Sequence, residues 1–244
     1  MKLQDVFKNY SAFLVDASGV LYEHSDFFAE AITTYQSFQK HAPTFLVTNN
    51  SYFYVDDIVG MFKKKSNLIL NTTDIISSGH GLTYDNYILT TIENETIYFF
   101  GQESSKKYLI GAPSHKLTNQ VSDSTVIILA SYTPPDQDPF IEEIITHAKN
   151  NPNLPIICCN WDRHIRSGTN LMPVIGTIAK HIEDTINRPI YWFGKPKANF
   201  STLVKSRLLK HNIQATKDVI FFDDNINNVV SMEQHIGITG CWVK

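Results

Sequence analysis

Along the chain, short unbroken apolar runs alternate with stretches in which apolar residues recur every three or four positions. The first run, Ala12-Phe13-Leu14-Val15, stops abruptly at Asp16, with Ser18-Gly19 behind it. A continuous apolar run closed by turn formers predicts a strand buried on both faces. Phe28, Ala31, Ile32, Tyr35 and Phe38 then share one helical face, and Pro43 ends that helix. Phe45-Leu46-Val47 predicts a second buried strand, closed by Thr48-Asn49-Asn50-Ser51. The next helix is expected over 55–65, with Asp56 and Asp57 in its first turn and Lys63, Lys64 and Lys65 in its last, matched to the helix dipole. Ile75-Ile76 before Ser77-Ser78-Gly79 predicts a third, short strand.

The middle of the chain forms a different block. Residues 96–100, 125–130 and 155–159 read as strands, the last closed by Asn160-Trp161-Asp162. Ile141, Ile144, Ile145 and Ala148 lie on one face of a helix for which Asp138 serves as N-cap and Pro139 as first helical residue. Residues 170–186 read as helical overall, with Pro173 near the start. From residue 190 the opening pattern returns. A strand over 190–193 stops at Gly194-Lys195-Pro196, and a helix carries Phe200, Leu203, Val204 and Leu208. A strand over 219–222 stops at Asp223-Asp224-Asn225, and a last strand lies near 238–243. Strands alternating with helices predict an α/β fold built on a parallel sheet.

Composition narrows the class. The 244 residues allow one large domain or two modest ones, and 43% apolar against 18% charged residues argues for a globular protein. With 21 basic and 24 acidic residues, a net charge of −3 and no long basic run, nucleic acid is not an expected partner. No stretch approaches ~18 uninterrupted apolar residues, so no membrane span is expected. The N-terminal segment lacks a signal-peptide apolar core, and Cys158, Cys159 and Cys241 suit neither a disulfide framework nor a zinc site. A cytoplasmic location follows as the expectation.

In an open parallel sheet, ligands bind at the carboxyl ends of the strands. The residues that stop the strands are therefore the candidates for chemistry: Asp16, Thr48, Lys195 and the Asp223-Asp224 pair. Each type also stops strands for purely local reasons, because Asp, Asn, Ser and Gly form turns. Together they offer a carboxylate nucleophile, a hydroxyl, a fixed cation and an acidic pair, which is the inventory for metal-assisted phosphoryl transfer.

Their order resembles the haloacid dehalogenase superfamily of phosphatases. Phe13-Leu14-Val15-Asp16-Ala17-Ser18-Gly19-Val20-Leu21 resembles the first motif, Phe45-Leu46-Val47-Thr48-Asn49-Asn50-Ser51 the second, Trp192-Phe193-Gly194-Lys195-Pro196 the third, and Ile220-Phe221-Phe222-Asp223-Asp224-Asn225 the fourth. Only 32 positions separate Asp16 from Thr48, whereas 147 separate Thr48 from Lys195, enough for an inserted domain. An insertion at that point is similar to the NagD-like group, and Ile157-Cys158-Cys159-Asn160-Trp161-Asp162 resembles the loop that group places over its active site. The resemblance implies a Rossmann-like core over 1–76 and 187–244 with an α/β cap over 77–186.

It further implies a Mg²⁺-dependent phosphatase acting on a small phosphorylated metabolite through an aspartyl-phosphate, with a homodimer formed through the cap. Asp16 is the implied nucleophile, and Thr48 and Lys195 hold the transferring oxygens. Asp16, the Ser18 carbonyl, Asp224 and Asp223 hold the metal, and Asn49, Asn160, Asp162 and Arg163 contact the substrate. Two positions depart from the pattern. Ser18 replaces a second Asp that serves as general acid and base, which predicts slow turnover of alkyl phosphates, and Asn228 stands where many members carry another Asp. Glu23 and His24 are candidates to take over the acid–base work. The alternative is a weak or silent member that binds a phosphorylated ligand or a protein partner.

Overall fold

A computed structural model describes residues 6, 8–24, 26–133, 138–167 and 170–244, with the backbone alone at 167. Two five-stranded sheets, both parallel throughout, organise the chain. The first contains β1 (Ala12–Val15), β4 (Thr44–Thr48), β5 (Ile75–Ser77), β13 (Val219–Asp223) and β14 (Thr239–Trp242), in the order β14-β13-β1-β4-β5. β1, β4 and β5 are buried at every position, as their unbroken apolar runs require. Between β1 and β4, strands β2 (Tyr22–Glu23) and β3 (Asp26–Phe27) form a small antiparallel flap.

Among the described elements, four helices with defined bounds cover this sheet. In α1 (Ala29–His41), Ile32, Tyr35 and Phe38 are buried at helical spacing, and Phe38 stacks between Phe13 and Phe222. α2 (Val55–Ser66) carries the expected acidic first turn and basic last turn, and ends at Asn67 in the left-handed region. The other two, α7 (Ala198–Lys210) and α8 (Ile226–Ile236), pack against each other. No described helix is long and apolar enough to cross a membrane.

The second sheet contains β6 (Thr96–Phe100), β7 (Lys116–Thr118), β8 (Val126–Leu129), β9 (Ile156–Cys158) and β12 (Tyr191–Trp192), in the order β12-β9-β8-β6-β7. Strand alternation splits its side chains between two cores. Ile97, Phe99, Val126, Ile128 and Ile157 join the large cluster shared with the first sheet, where α3 (Asn86–Ile92) adds Ile88 and Ile92. Tyr98, Phe100, Ile127, Leu129, Ile156 and Cys158 form a separate core with α5 (Asp138–Asn150) and α6 (Ile175–Ile186). A short α4 (Glu103–Lys106) lies between β6 and β7.

Two elements differ from the expectation. The stretch 170–186 is not helical throughout. Asn170–Pro173 forms β11, antiparallel to β10 (His164–Ser167), and the helix begins only at Ile175. Pro173 has no amide to donate and disfavours helical geometry at Met172, so the helix starts beyond it. Asp138 lies inside its helix as the first residue rather than before it, and accepts a hydrogen bond from the Tyr132 hydroxyl. The strand at Tyr191–Trp192 pairs with β9, so the second sheet continues past the boundary expected at 186. The apolar run alone could not say which of two parallel sheets that strand would join.

Ile128 is fully buried on the face shared by both sheets, whereas Leu171 on β11 is 64% exposed. Ile128→Ala is expected to lower the unfolding free energy by about 2–5 kcal/mol. Leu171→Ala should stay within about 0.5 kcal/mol. Urea denaturation of both variants beside the parent chain measures the contrast.

Candidate active site

β1 lies between β13 and β4, and all three strands run the same way, so their carboxyl ends meet at one edge. Val15 pairs with both Phe222 and Leu46, which places Asp16 level with Asp223 and Val47, with Thr48 one residue further along β4. The Asp16 amide donates to the Phe222 carbonyl at 2.9 Å. Asp224 follows immediately, and one carboxylate oxygen from each of Asp16, Asp223 and Asp224 lies within 4.8 Å of the others. Gly19 makes this possible at the neighbouring turn. Its φ is +88°, and a Cβ there would lie 2.2 Å from the Asp224 carboxylate, so only glycine suits both the backbone and the space.

The second sheet contributes the cation. Lys195 follows β12 and points its ammonium into the acidic cluster, 2.6 Å from Asp16 Oδ1, 2.8 Å from Asp223 Oδ2 and 3.3 Å from the Val47 carbonyl. It is the only buried lysine or arginine among the described residues. Burial opposes its charge, but Asp16 and Asp223 hold it above the ordinary lysine range. Burial likewise raises the Asp16 carboxyl well above its usual range, and Lys195 opposes that rise. Burial, and then the Asp223 charge, raise Asp224.

Asp16, Lys195 and Asp224 border a cleft of about 590 Å³ that is also lined by Ser18, Thr48, Asn49, Asn160, Asp162 and Asn228, while Asp223 lies buried behind it. The structure therefore brings Asp16, Ser18, Thr48, Asn49, Asn160, Asp162, Lys195 and Asp224 into one place. Arg163 is a correction. It does not line the cleft; its guanidinium lies over Trp161 and Trp192, at 5.6 and 5.4 Å. From the same hairpin, Arg166 does line the cleft, and its charge is felt at Asp224. Nothing in the spacing of Arg163-His164-Ile165-Arg166 distinguished the two, because the expected helix over 170–186 concealed the hairpin.

Asn49 is placed as expected but engaged differently. Its Oδ1 accepts from the Lys195 amide at 2.7 Å, and its Nδ2 donates to the Lys195 carbonyl at 2.9 Å and to Asp162 Oδ1 at 3.0 Å. Both amide hydrogens are thus in use, so the side chain acts as a strut between the sheets with no free donor for a substrate. Hydroxyls fix the rest of its loop: Ser51 donates to the Ala130 carbonyl, Ser77 to that of Asn50 and Ser78 to that of Asn49. The Thr48 hydroxyl accepts from the Asn50 amide at 3.1 Å.

The donor set suits a hard divalent cation. Three carboxylates face one ammonium, which leaves a negative balance that such an ion would close. Asn228 Nδ2 donates to both Asp223 oxygens, while its buried Oδ1 has no partner. A buried amide oxygen beside a carboxylate cluster is an unused acceptor of the kind that coordinates an ion or the water on it. The residues present therefore fit a magnesium ion.

Residues 13–112 match the family model for haloacid dehalogenase-like hydrolases. No curated protein matches the chain in sequence. Among solved structures, a possible sugar phosphatase from Cytophaga hutchinsonii superposes with a TM-score of 0.84 at 17% identity, covering 99% of this chain and 87% of that one. The p-nitrophenyl phosphatase from Archaeoglobus fulgidus gives 0.77 at 16% identity, with 96% and 86% covered. The glycerol phosphate phosphatase from Mycobacterium tuberculosis in complex with magnesium gives 0.78 at 12% identity, with 97% and 69% covered. At these identities the likeness is one of fold.

Lys195→Met would leave Asp16 and Asp223 buried without their counter-charge. The expected loss is about 3–5 kcal/mol of unfolding free energy, measured in urea. The pH dependence has a definite sign. A carboxyl whose pKa is raised in the folded state binds its proton more tightly there, so stability falls as pH rises between its unfolded and folded values. Removing Lys195 raises Asp16 further, so the deficit of the variant should widen from acidic to neutral pH.

Proposed function

We propose that this protein, a NagD-like member of the haloacid dehalogenase superfamily, is a magnesium-dependent phosphatase that acts on a small phosphorylated metabolite. The observation that carries this reading is the contact of a buried lysine with the carboxylate at the end of the central strand, beside two further carboxylates. An isolated aspartate at that depth would be protonated and inert. Lys195 favours its ionised form, and a carboxylate can attack phosphorus.

In this reading Asp16 attacks the phosphoryl group, an aspartyl-phosphate forms and the leaving group departs from the face away from Asp16. Water then cleaves the intermediate. The Thr48 hydroxyl and the Lys195 ammonium hold the transferring oxygens, both fixed before substrate arrives. Asp16, Asp224, Asp223 and the Ser18 carbonyl would hold magnesium, with Asn228 Oδ1 available to it or to its water. When bound, the ion supplies charge neutralisation for the phosphate oxygens.

The second sheet with its helices serves as the cap over residues 77–186, with Tyr191–Trp192 tied to it as an edge strand. The β10–β11 hairpin and the flap border the cleft together, so selectivity for the organic part of the substrate lies there. The homodimer belongs to the same reading, through the cap, where the hairpin exposes Leu171 and Met172. The sugar, aryl and glycerol phosphates named for the structural relatives define the class to test.

At Ser18 a hydroxyl stands where protonation of the leaving group would need a carboxylic acid. General acid–base help is worth about 10²–10⁴-fold, and its loss falls on poor leaving groups. Acyl and aryl phosphates should therefore turn over faster than alkyl phosphates. Phosphate release from acetyl phosphate and p-nitrophenyl phosphate with Mg²⁺ should vanish in Asp16→Asn. No release by the parent chain with any of these substrates, but a gain in Ser18→Asp, would instead identify a silenced binding protein.

A further inference from the structure

Resting on the phosphatase reading, we propose that Asp162 is the proton donor and acceptor of this active site, in place of the residue at Ser18. It would protonate the departing alkoxide in the first step and take a proton from water in the second.

An in-line displacement needs its acid on the side away from the nucleophile. Asp16 follows β1 in the first sheet, whereas Asp162 follows β9 in the second, and both line the same cleft. Asp162 is held on three sides. Its Oδ1 accepts from Asn49 Nδ2 at 3.0 Å, its amide donates to Asn160 Oδ1 at 2.8 Å, and its carbonyl packs against Gly176, where a Cβ would come within 2.1 Å. That leaves Oδ2 without a hydrogen-bond partner among the described residues, and it is not sealed from solvent. A carboxyl with one oxygen anchored and the other free is the arrangement that proton transfer requires.

The other titratable groups at the cleft are less suited. Glu23 and His24 lie on the flap and His164 on the exposed hairpin, and no hydrogen bond to a described residue fixes any of these side chains. Asp224 belongs to the cation cluster. Burial supports the choice of Asp162 by raising its carboxyl to about 6, so that part of the population carries a proton near neutrality. The charged groups around it act in both directions: Lys195 and the Asn49 amide lower the value, while Asp223 and Asp224 raise it. The thiol of Cys158 lies beneath the loop and donates to the Asn160 carbonyl.

The proton balance closes over one turnover. In the first step the bond from Asp16 to phosphorus forms, the bond to the leaving oxygen breaks, and that oxygen receives the Asp162 proton. In the second, water attacks phosphorus and returns a proton to Asp162, while the bond to Asp16 breaks and inorganic phosphate is released.

The test compares substrates that differ in their need for a proton. Glycerol 3-phosphate has a poor leaving group and acetyl phosphate a good one. Asp162→Asn preserves an acceptor for Asn49 but cannot transfer a proton. In this variant kcat/KM for glycerol 3-phosphate should fall by about 10²-fold or more, and that for acetyl phosphate by a much smaller factor, because its leaving group needs no proton. In the parent, the glycerol 3-phosphate rate should decline as pH rises through about 6, and the variant should lose that limb. Equal losses on both substrates, an unchanged pH limb, or a parent chain that hydrolyses acetyl phosphate but no alkyl phosphate would each overturn the assignment. A parent chain inactive on acetyl phosphate would overturn the phosphatase reading itself, and the assignment with it.

Discussion

The buried ammonium of Lys195 is the constraint on which the site depends. Two carboxylates cannot both remain ionised in the interior a few ångströms apart unless a cation sits between them. Lys195 meets Asp16 and Asp223 at 2.6 and 2.8 Å with almost no exposure of its own. Such an ion pair adds little net stability, because desolvation offsets most of the attraction, yet losing one member is severe. What the arrangement does is oppose neutralisation. Burial raises the carboxyl at the end of an apolar strand, and Lys195 draws it back toward its ionised form.

The same lysine explains why two sheets are needed. Asp16, Thr48 and Asp223 arise from the first sheet, while Lys195 is delivered by the edge strand of the second. Neither sheet holds the full set. Asn49 joins them by grasping the Lys195 backbone at both its amide and its carbonyl, with a third bond to Asp162. The asparagine that the motif presents as a substrate contact is thus spent on alignment. An Asn49→Asp change would keep the acceptor but lose both donated bonds, so the lysine and the acid would be freed together.

Much of this was legible in the sequence because burial on both faces leaves a simple mark. Strands such as Phe13-Leu14-Val15 and Phe45-Leu46-Val47 read as apolar runs, and the polar residues that stop them became the site. What the pattern could not show was partnership. Tyr191–Trp192 reads as a strand in either sheet, and only pairing with β9 assigns it. The stretch 170–186 read as helical overall, although Pro173 disfavours helix at its start and a hairpin lies there. Arg163 and Arg166 were likewise equivalent in composition. Their separation, one over two tryptophans and one at the cleft, follows from the hairpin.

The division of labour between Ser18 and Asp162 follows from where each can be held. Ser18 sits on the tight turn whose next residue, Gly19, must leave room for the Asp224 carboxylate. A fourth carboxylate on that turn would add repulsion to a cluster that has one ammonium to balance three charges. Asp162 lies farther off, tied to a neutral amide, and burial rather than a like charge is the first cause of its raised pKa. An acid placed there responds to solvent exclusion in the cleft. In the proposed reading the acid therefore stands outside the direct contacts by which Lys195 holds Asp16 and Asp223.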